Sequence, residues 1–85
     1  MSRITLGIAD DHQLFLKSVS LLINSLDNFE ILLEALNGKD LVEKLHAAKT
    51  QPDILLVDVT MPVMDGEATV AYVTQHFQIG RASCR

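Results

Sequence analysis

The stretch "ILLVDVTMPVMDG", residues 54–66, carries the strongest fold signal in this sequence. Four apolar residues, 54–57, run without a polar break into Asp58, and Pro62 and Gly66 then mark a turn. An unbroken apolar run of this length is typical of a parallel strand that is covered on both faces, because a half-exposed strand alternates. The stretch therefore predicts a central strand that ends in a carboxylate.

Composition limits the class of protein. The chain has 85 residues, of which 48% are hydrophobic and 21% charged, a balance typical of one soluble globular domain. A net charge of -4 provides no basic surface for a phosphate backbone, which needs clustered Lys and Arg. We therefore expect no nucleic-acid binding by this chain.

The ends and apolar runs of the sequence bear on its location. No apolar run approaches the roughly 20 residues that a membrane span requires, and the N-terminus lacks the apolar core of a signal peptide. The single cysteine, Cys84, cannot form an internal disulfide. These features predict a cytoplasmic protein with no membrane association.

The hydrophobic period alternates between that of strands and that of helices. The pattern predicts strands at 4–9, 29–35 and 54–57, and helices at 13–26, from 37–38 to before Pro52, and from about 65 to 77. The second strand has acidic residues on one side and is expected to lie at the edge. Three successive βα units predict a parallel sheet with right-handed crossovers.

Acidic residues follow two of the predicted strands. Asp10 and Asp11 end the first strand and Asp58 ends the third. In parallel α/β sheets ligands bind beyond the carboxyl ends of the strands, so neighbouring first and third strands would bring three carboxylates together. Like charges this close repel unless a cation neutralises them, and oxygen ligands favour a hard ion such as Mg²⁺.

Each of these residues also has a simpler interpretation. Asp11 alone could cap the first helix, a common role for Asp at a strand-to-helix junction, and Asp58 alone could be a solvated loop acid. His12 adjoins the acids, but we favour a residue that starts the helix over a metal ligand. The grouping of acids at equivalent strand ends favours a site.

With these motifs the chain resembles the receiver domain of bacterial two-component response regulators. The resemblance rests on the pair Asp10-Asp11 after an apolar strand, on Asp58 after "ILLV", and on the following "MPVMDG", residues 61–66. The opening "IADDHQLF" also resembles receivers that carry a helix-turn-helix output domain. The resemblance implies a flavodoxin-like α/β fold with strand order 2-1-3-4-5.

The resemblance further implies a function for each acid. Asp58 would accept a phosphoryl group from a histidine kinase, giving an acyl phosphate. Asp11, Asp58 and the backbone carbonyl of Thr60 would hold Mg²⁺ directly, and Asp10 would act through water. The chain itself would not be an enzyme.

The sequence departs from the family after residue 77. Only three of the five βα units are present, in the order 2-1-3, and "QIGRASCR" shows no strand alternation. We expect a partial receiver domain at 1–79 and a non-native or disordered tail at 80–85. The Ser or Thr and the Lys that the family uses to bind the phosphoryl group are missing, so Mg²⁺ binding should be weakened and phosphorylation slow or absent.

Two other functions remain open. A haloacid-dehalogenase-like aspartyl phosphatase also uses an Asp at a strand end with Mg²⁺, but it needs a second acid two residues later, where this chain has Thr60. The other alternative is an interaction or dimerisation module that never binds phosphate.

The departure from the family's five βα units also predicts that the chain forms an oligomer. Without a fourth strand, the third strand would be an unpaired sheet edge, which recruits other chains. Without the family's fifth helix, the first helix would expose apolar surface. We therefore expect a homo-oligomer formed through the strand-three edge or through helix one.

Overall fold

Four parallel strands and three helices alternate along the part of the chain that the structure describes. The structure, a computed structural model, describes residues 3–58, 65–77, 79 and 81–84. The strands are β1 (Ile4–Ala9), β2 (Phe29–Ala35), β3 (Ile54–Val57) and β4 (Arg81–Cys84), and the helices are α1 (Gln13–Asn24), α2 (Gly38–Ala47) and α3 (Gly66–His76). The three predicted βα units are confirmed.

The strand order is β2-β1-β3-β4. The predicted order 2-1-3 is thus confirmed, as is the position of β2 at the edge. The register places Ala9 of β1 beside Ala35 of β2 on one side and Val57 of β3 on the other. The carboxyl ends of β1 and β3 therefore lie side by side, and residues that follow them share one edge of the sheet.

The fourth strand corrects two predictions. Residues 81–84 pair in parallel with β3, from Ile54 beside Arg81 to Val57 beside Cys84. The expectation that "QIGRASCR" supplies no strand is wrong, and the tail expected at 80–85 contains a strand at 81–84. Consequently β3 has a neighbour on each side and is not an exposed edge. The non-native origin of 80–85 stays a prediction.

The sheet is covered on both faces. One core contains Leu41 and Leu45 of α2, Val73 of α3 and the strand residues Ala9, Ala35, Leu55 and Val57, all buried. On β1, Leu6 and Ile8 alternate with Gly7 and Ala9, so they point to the opposite face, where Leu16 of α1 is also buried. This division follows from right-handed crossovers on either side of β1.

The face of β1 that carries Gly7 is closely packed. A β-carbon on Gly7 would lie 2.6 Å from Cδ2 of Leu55 and 3.0 Å from Cδ1 of Leu33. The small residues of β1 therefore let the branched side chains of both neighbouring strands meet over it. No helix among the described residues is long and apolar enough to cross a membrane.

Candidate functional site

Hydrogen bonds that extend the sheet position the acids. The backbone N–H of Asp10 donates to the carbonyl of Ala35 at 3.0 Å, and that of Asp58 donates to the carbonyl of Ala9 at 2.9 Å. Both acids are therefore held by the ends of paired strands and not by a loose loop. The structure confirms that the two strand ends bring these carboxylates together.

Asp10 is the buried member of the group. Its side chain is 2% exposed. Oδ1 accepts hydrogen bonds from the backbone N–H of His12 at 2.9 Å and from the His12 ring at 2.7 Å. A buried carboxylate is costly unless it is hydrogen-bonded, so these bonds fix the chain between β1 and α1.

Asp11 and Asp58 lie nearer the solvent. Their side chains are 35% and 13% exposed. The N-cap of α1 is His12 and the helix has no acid in its first turn, so the alternative of Asp11 as the helix cap is not realised. Asp58 likewise is no fully solvated loop acid. Both carboxylates face the same small volume as Asp10.

The ring of His12 completes the cluster. Its Nδ1 lies 3.2 Å from Oδ1 of Asp11 and 3.8 Å from Oδ2 of Asp58, in addition to its contact with Asp10. The prediction that His12 starts the helix is confirmed, but sequence reasoning missed that the ring turns back to all three acids. Its position directly after Asp10-Asp11 was the signal that could have indicated this.

The acids change the protonation of His12. The hydrogen bond to Asp10 raises the pKa of His12 above its usual 6.5, and the negative charges of Asp11, Asp10 and Asp58 act in the same direction. The imidazolium form is thus favoured where the carboxylates converge. In the absence of a metal ion, His12 supplies positive charge to an otherwise acidic cluster.

The donor atoms fit a hard divalent cation. Asp10, Asp11, His12 and Asp58 each offer a ligand atom, and these atoms lie within 4.8 Å of one another. Three of the four residues are carboxylates, the ligand type that Mg²⁺ prefers, whereas imidazole suits softer metals. Because the His12 ring is 67% exposed, it can turn away without disturbing the core.

The stretch after Asp58 contains one more predicted metal ligand and the cap of α3. Thr60, predicted to offer its carbonyl to the metal, lies outside the described residues, as do residues 61–64. Asp65 is the N-cap of α3, and its side chain accepts a hydrogen bond from the N–H of Ala68 at 2.8 Å. The acid of the "MDG" sequence therefore organises the helix.

Comparison with known proteins identifies the family. Residues 6–81 match the response regulator receiver domain, which is most of the chain, and the chain belongs to this family. The flavodoxin-like receiver fold predicted from the motifs is thereby confirmed.

Relatives of known sequence and structure agree. The chain is 44% identical over 63 residues, 74% of its length, to a protein-glutamate methylesterase/protein-glutamine glutaminase of Vibrio cholerae, but covers only 16% of that relative. The signal receiver domain of the response regulator NarL from Mycobacterium tuberculosis superposes with a TM-score of 0.84 at 26% identity, covering 99% of this chain and 66% of that one.

A second solved structure is the CheX-CheY-BeF3-Mg²⁺ complex from Borrelia burgdorferi. It has a TM-score of 0.84 and 25% identity, and the match covers 98% of this chain and 61% of that chain. The chain thus spans about two thirds of these receiver structures and about a sixth of the length of the curated relative. The finer expectation of a helix-turn-helix output domain stays a prediction.

Proposed function

We propose that this chain is a phosphoacceptor whose Asp58 takes a phosphoryl group from a histidine kinase in the presence of Mg²⁺. The observation that carries the proposal is the cluster of Asp10, Asp11 and Asp58 at adjoining strand ends. Membership of the receiver family supports it. No enzymatic turnover is proposed for this chain.

The reaction needs little from the protein beyond position and charge. A carboxylate oxygen of Asp58 attacks the phosphorus of a phosphohistidine, a P–O bond forms, the P–N bond breaks, and the departing imidazole takes a proton from solvent. A carboxylate is already ionised at neutral pH and requires no general base. The backbone bond from Asp58 to Ala9 holds the nucleophile at the strand end.

Each acid has a proposed share in binding the cation. Asp11 and Asp58, the more exposed pair, would hold Mg²⁺ directly with the carbonyl of Thr60, and buried Asp10 would act through water while bonded to the backbone of His12. Bound there, Mg²⁺ would offset the negative charge of the incoming phosphoryl oxygens. His12 would release its carboxylate contacts and turn outward.

Reduced activity of the 85-residue chain remains part of the proposal. Phosphoryl oxygens in the family are bound by a Ser or Thr after the fourth strand and a Lys after the fifth. In this chain the His12 ring contacts all three carboxylates, so it would have to turn outward before Mg²⁺ binds. Nζ of Lys44, on α2, donates a hydrogen bond to the backbone carbonyl of Glu34 and lies 3.2 Å from Oδ2 of Asp40. We therefore expect slow phosphorylation.

The alternatives of phosphatase and phosphate-independent module are less well supported. A haloacid-dehalogenase-like phosphatase would need a second acid at position 60, where this chain has Thr60. The family match also favours a receiver. The interaction module predicts no metal binding at all, which makes it testable without a kinase.

The test is a titration of the chain with Mg²⁺, followed by amide NMR. We expect shifts concentrated near Asp10, Asp11 and Asp58, and their loss in Asp58→Asn. Asp53→Asn is the matched control, because Asp53 precedes the opposite end of β3 and accepts hydrogen bonds from the N–H and hydroxyl of Thr5. Absence of shifts near the three acids would favour the interaction module.

A further inference from the structure

The ring of His12 gives the acidic site a nitrogen donor. Its Nδ1 lies 2.7 Å from Oδ1 of Asp10, 3.2 Å from Oδ1 of Asp11 and 3.8 Å from Oδ2 of Asp58. His12 starts α1 through its backbone, whose carbonyl accepts a hydrogen bond from the N–H of Leu16 at 2.9 Å, and its side chain makes no cap bond. The ring is therefore available to the site and is not needed for the helix.

Distances of this size separate neighbouring ligands of one metal ion. Zn²⁺ binds imidazole nitrogen and carboxylate oxygen at about 2.0–2.2 Å in a tetrahedron, which separates the ligand atoms by about 3.4 Å. The three distances from Nδ1 of His12 lie on both sides of that value. One ligand atom from each of the four residues lies within 4.8 Å of the others. The side chains of His12 and Asp11, which are the most exposed of the four, can move to complete the geometry.

A nitrogen donor changes which metal ion the site prefers. Mg²⁺ prefers oxygen ligands in an octahedron and gives up its water reluctantly, so it gains little from an imidazole. Zn²⁺ and similar transition-metal ions bind imidazole well, and they accept carboxylates in the same site. The His12 ring therefore disfavours Mg²⁺, which must displace it, and favours Zn²⁺, which can retain it.

Asp10 holds the His12 ring in the orientation that metal binding needs. Oδ1 of this buried carboxylate contacts Nδ1 of the ring and also accepts a hydrogen bond from the backbone N–H of His12 at 2.9 Å. A metal ion at Nδ1 would take the place of the hydrogen atom between the ring and Asp10, while the backbone bond stays. The second ring nitrogen, Nε2, would carry the remaining hydrogen and donate it to solvent, because the side chain is largely exposed.

The other two histidines have different surroundings. Nε2 of His46 lies 3.2 Å from the hydroxyl of Tyr72, and Nδ1 of His76 lies 2.9 Å from the backbone carbonyl of Tyr72. Among the residues that the structure describes, only His12 of the three histidines belongs to a group of potential metal ligands. A substitution at His46 therefore serves as a matched control for one at His12.

We propose that His12 determines the metal preference of the acidic site: it binds Zn²⁺ or a similar transition-metal ion through Nδ1, together with the three carboxylates, and turns away when Mg²⁺ binds. The two metal-bound forms then differ in the position of one side chain, which lies inward with Zn²⁺ and outward with Mg²⁺. The proposal rests on the proposed function, in that both need a divalent ion at Asp10, Asp11 and Asp58, but it does not require phosphorylation of Asp58.

The first test measures the affinities for Zn²⁺ and Mg²⁺ separately by titration calorimetry. The 85-residue chain carries Cys84→Ser in all samples, because a thiol would bind Zn²⁺ by itself. His12→Asn removes the imidazole and keeps a residue type that commonly starts helices. We expect it to weaken Zn²⁺ binding by more than the roughly tenfold that loss of an outer-shell partner costs, and to leave Mg²⁺ binding unchanged or tighter. His46→Asn should change neither affinity.

The second test identifies the ligand atom by nitrogen NMR of the histidine rings. With Zn²⁺, the Nδ1 signal of His12 should move to the position of a metal-bound nitrogen while Nε2 keeps its hydrogen. With Mg²⁺, neither ring nitrogen should show metal binding. Asp58→Asn should weaken the binding of both ions, because both use this carboxylate. Amide NMR spectra verify that all variants are folded.

Either of two results would overturn the proposal. One is a Zn²⁺ affinity that His12→Asn leaves unchanged, and the other is an Nδ1 signal that shows no metal binding in the presence of Zn²⁺. Both would mean that the ring turns away from every cation. Shifts near the three acids on addition of Mg²⁺ would then still support the proposed function. Conversely, Zn²⁺ bound through His12 without any response to Mg²⁺ would support the metal preference and contradict a phosphoacceptor that uses Mg²⁺.

Discussion

Nδ1 of His12 lies 2.7 Å from Oδ1 of Asp10, and the backbone N–H of the same histidine donates to the same oxygen. One buried carboxylate oxygen thus organises both the start of α1 and the ring beside the acidic cluster. The metal site and the first helix are coupled through this atom. Occupation of the site by a cation should therefore be visible at His12.

The protonation of His12 provides a first prediction. In Mg²⁺-free buffer its pKa should lie above 6.5, because Asp10 accepts a bond from the ring and the other acids add negative charge. Saturating Mg²⁺ should lower the value, and so should Asp10→Asn. Ring-proton NMR across the pH range measures both changes.

The sign of the pH effect on stability follows from that shift. Because the pKa of His12 is raised in the folded state, protonation of His12 stabilises the fold. This contribution is fully present below the pKa of His12 in the unfolded chain, near 6.5, and is lost as the pH rises through its pKa in the folded chain. A His12 that titrates at or below 6.5 without Mg²⁺ would contradict the ring contacts.

A second prediction concerns the close-packed face of β1. Gly7→Ala should lower the free energy of unfolding by about 1–3 kcal/mol, since the new β-carbon would press on Leu55 in the buried core. Urea unfolding measures the change. Ala9→Gly serves as a comparison in the same strand, because it removes a buried methyl group and adds no atom that could clash. Unchanged stability in Gly7→Ala would mean that the side chain of Leu55 can move aside at no cost.

The third prediction separates the role of Asp65 from that of the metal ligands. Asp65→Ala should cost about 1 kcal/mol of stability through loss of the cap on α3, while the affinity for Mg²⁺ stays the same. Asn37→Ala is the matched control, because Asn37 caps α2 through the N–H of Asp40 in the same way. Loss of Mg²⁺ affinity in Asp65→Ala alone would show that this acid takes part in the site.

Sequence periodicity was sufficient for most of the fold. The apolar run before Asp58 and the alternation of Leu6 and Ile8 with small residues reflect burial, which periodicity records directly. The fourth strand escaped because residues 81–84 are held by backbone pairing with β3, and backbone hydrogen bonds require no particular side-chain pattern. Only Ile79, which packs against the core, carried an apolar signal.

The positions of the acids could be predicted because the ends of the strands determine them. The orientation of the His12 ring could not, because it depends on a side-chain hydrogen bond. Asp10 and Asp58 follow residues that pair in the sheet, so topology alone brings them together. The orientation of the His12 ring depends on a hydrogen bond to Asp10, which a sequence pattern does not encode. The expectation that β3 is an exposed edge was wrong because it depended on the absence of a fourth strand, and β4 pairs with β3.

The extent of phosphorylation is a fourth prediction. Acetyl phosphate with Mg²⁺ should modify the 85-residue chain slowly and incompletely, because the His12 ring contacts all three carboxylates and must turn outward before Mg²⁺ binds. Intact-mass measurements over time give the rate. Rapid and stoichiometric modification would show that the ring contacts do not hinder binding of Mg²⁺.

The most direct test of the account is the position of that phosphoryl group. After prolonged treatment with acetyl phosphate and Mg²⁺, peptide mass mapping should find a single adduct on Asp58 that is absent from Asp58→Asn, absent when Mg²⁺ is chelated, and retained in Asp53→Asn. An adduct that persists in Asp58→Asn would contradict the claim that Asp58 is the phosphoacceptor. The absence of any adduct in the parent chain after this prolonged treatment would contradict the proposal that phosphorylation is slow and not absent.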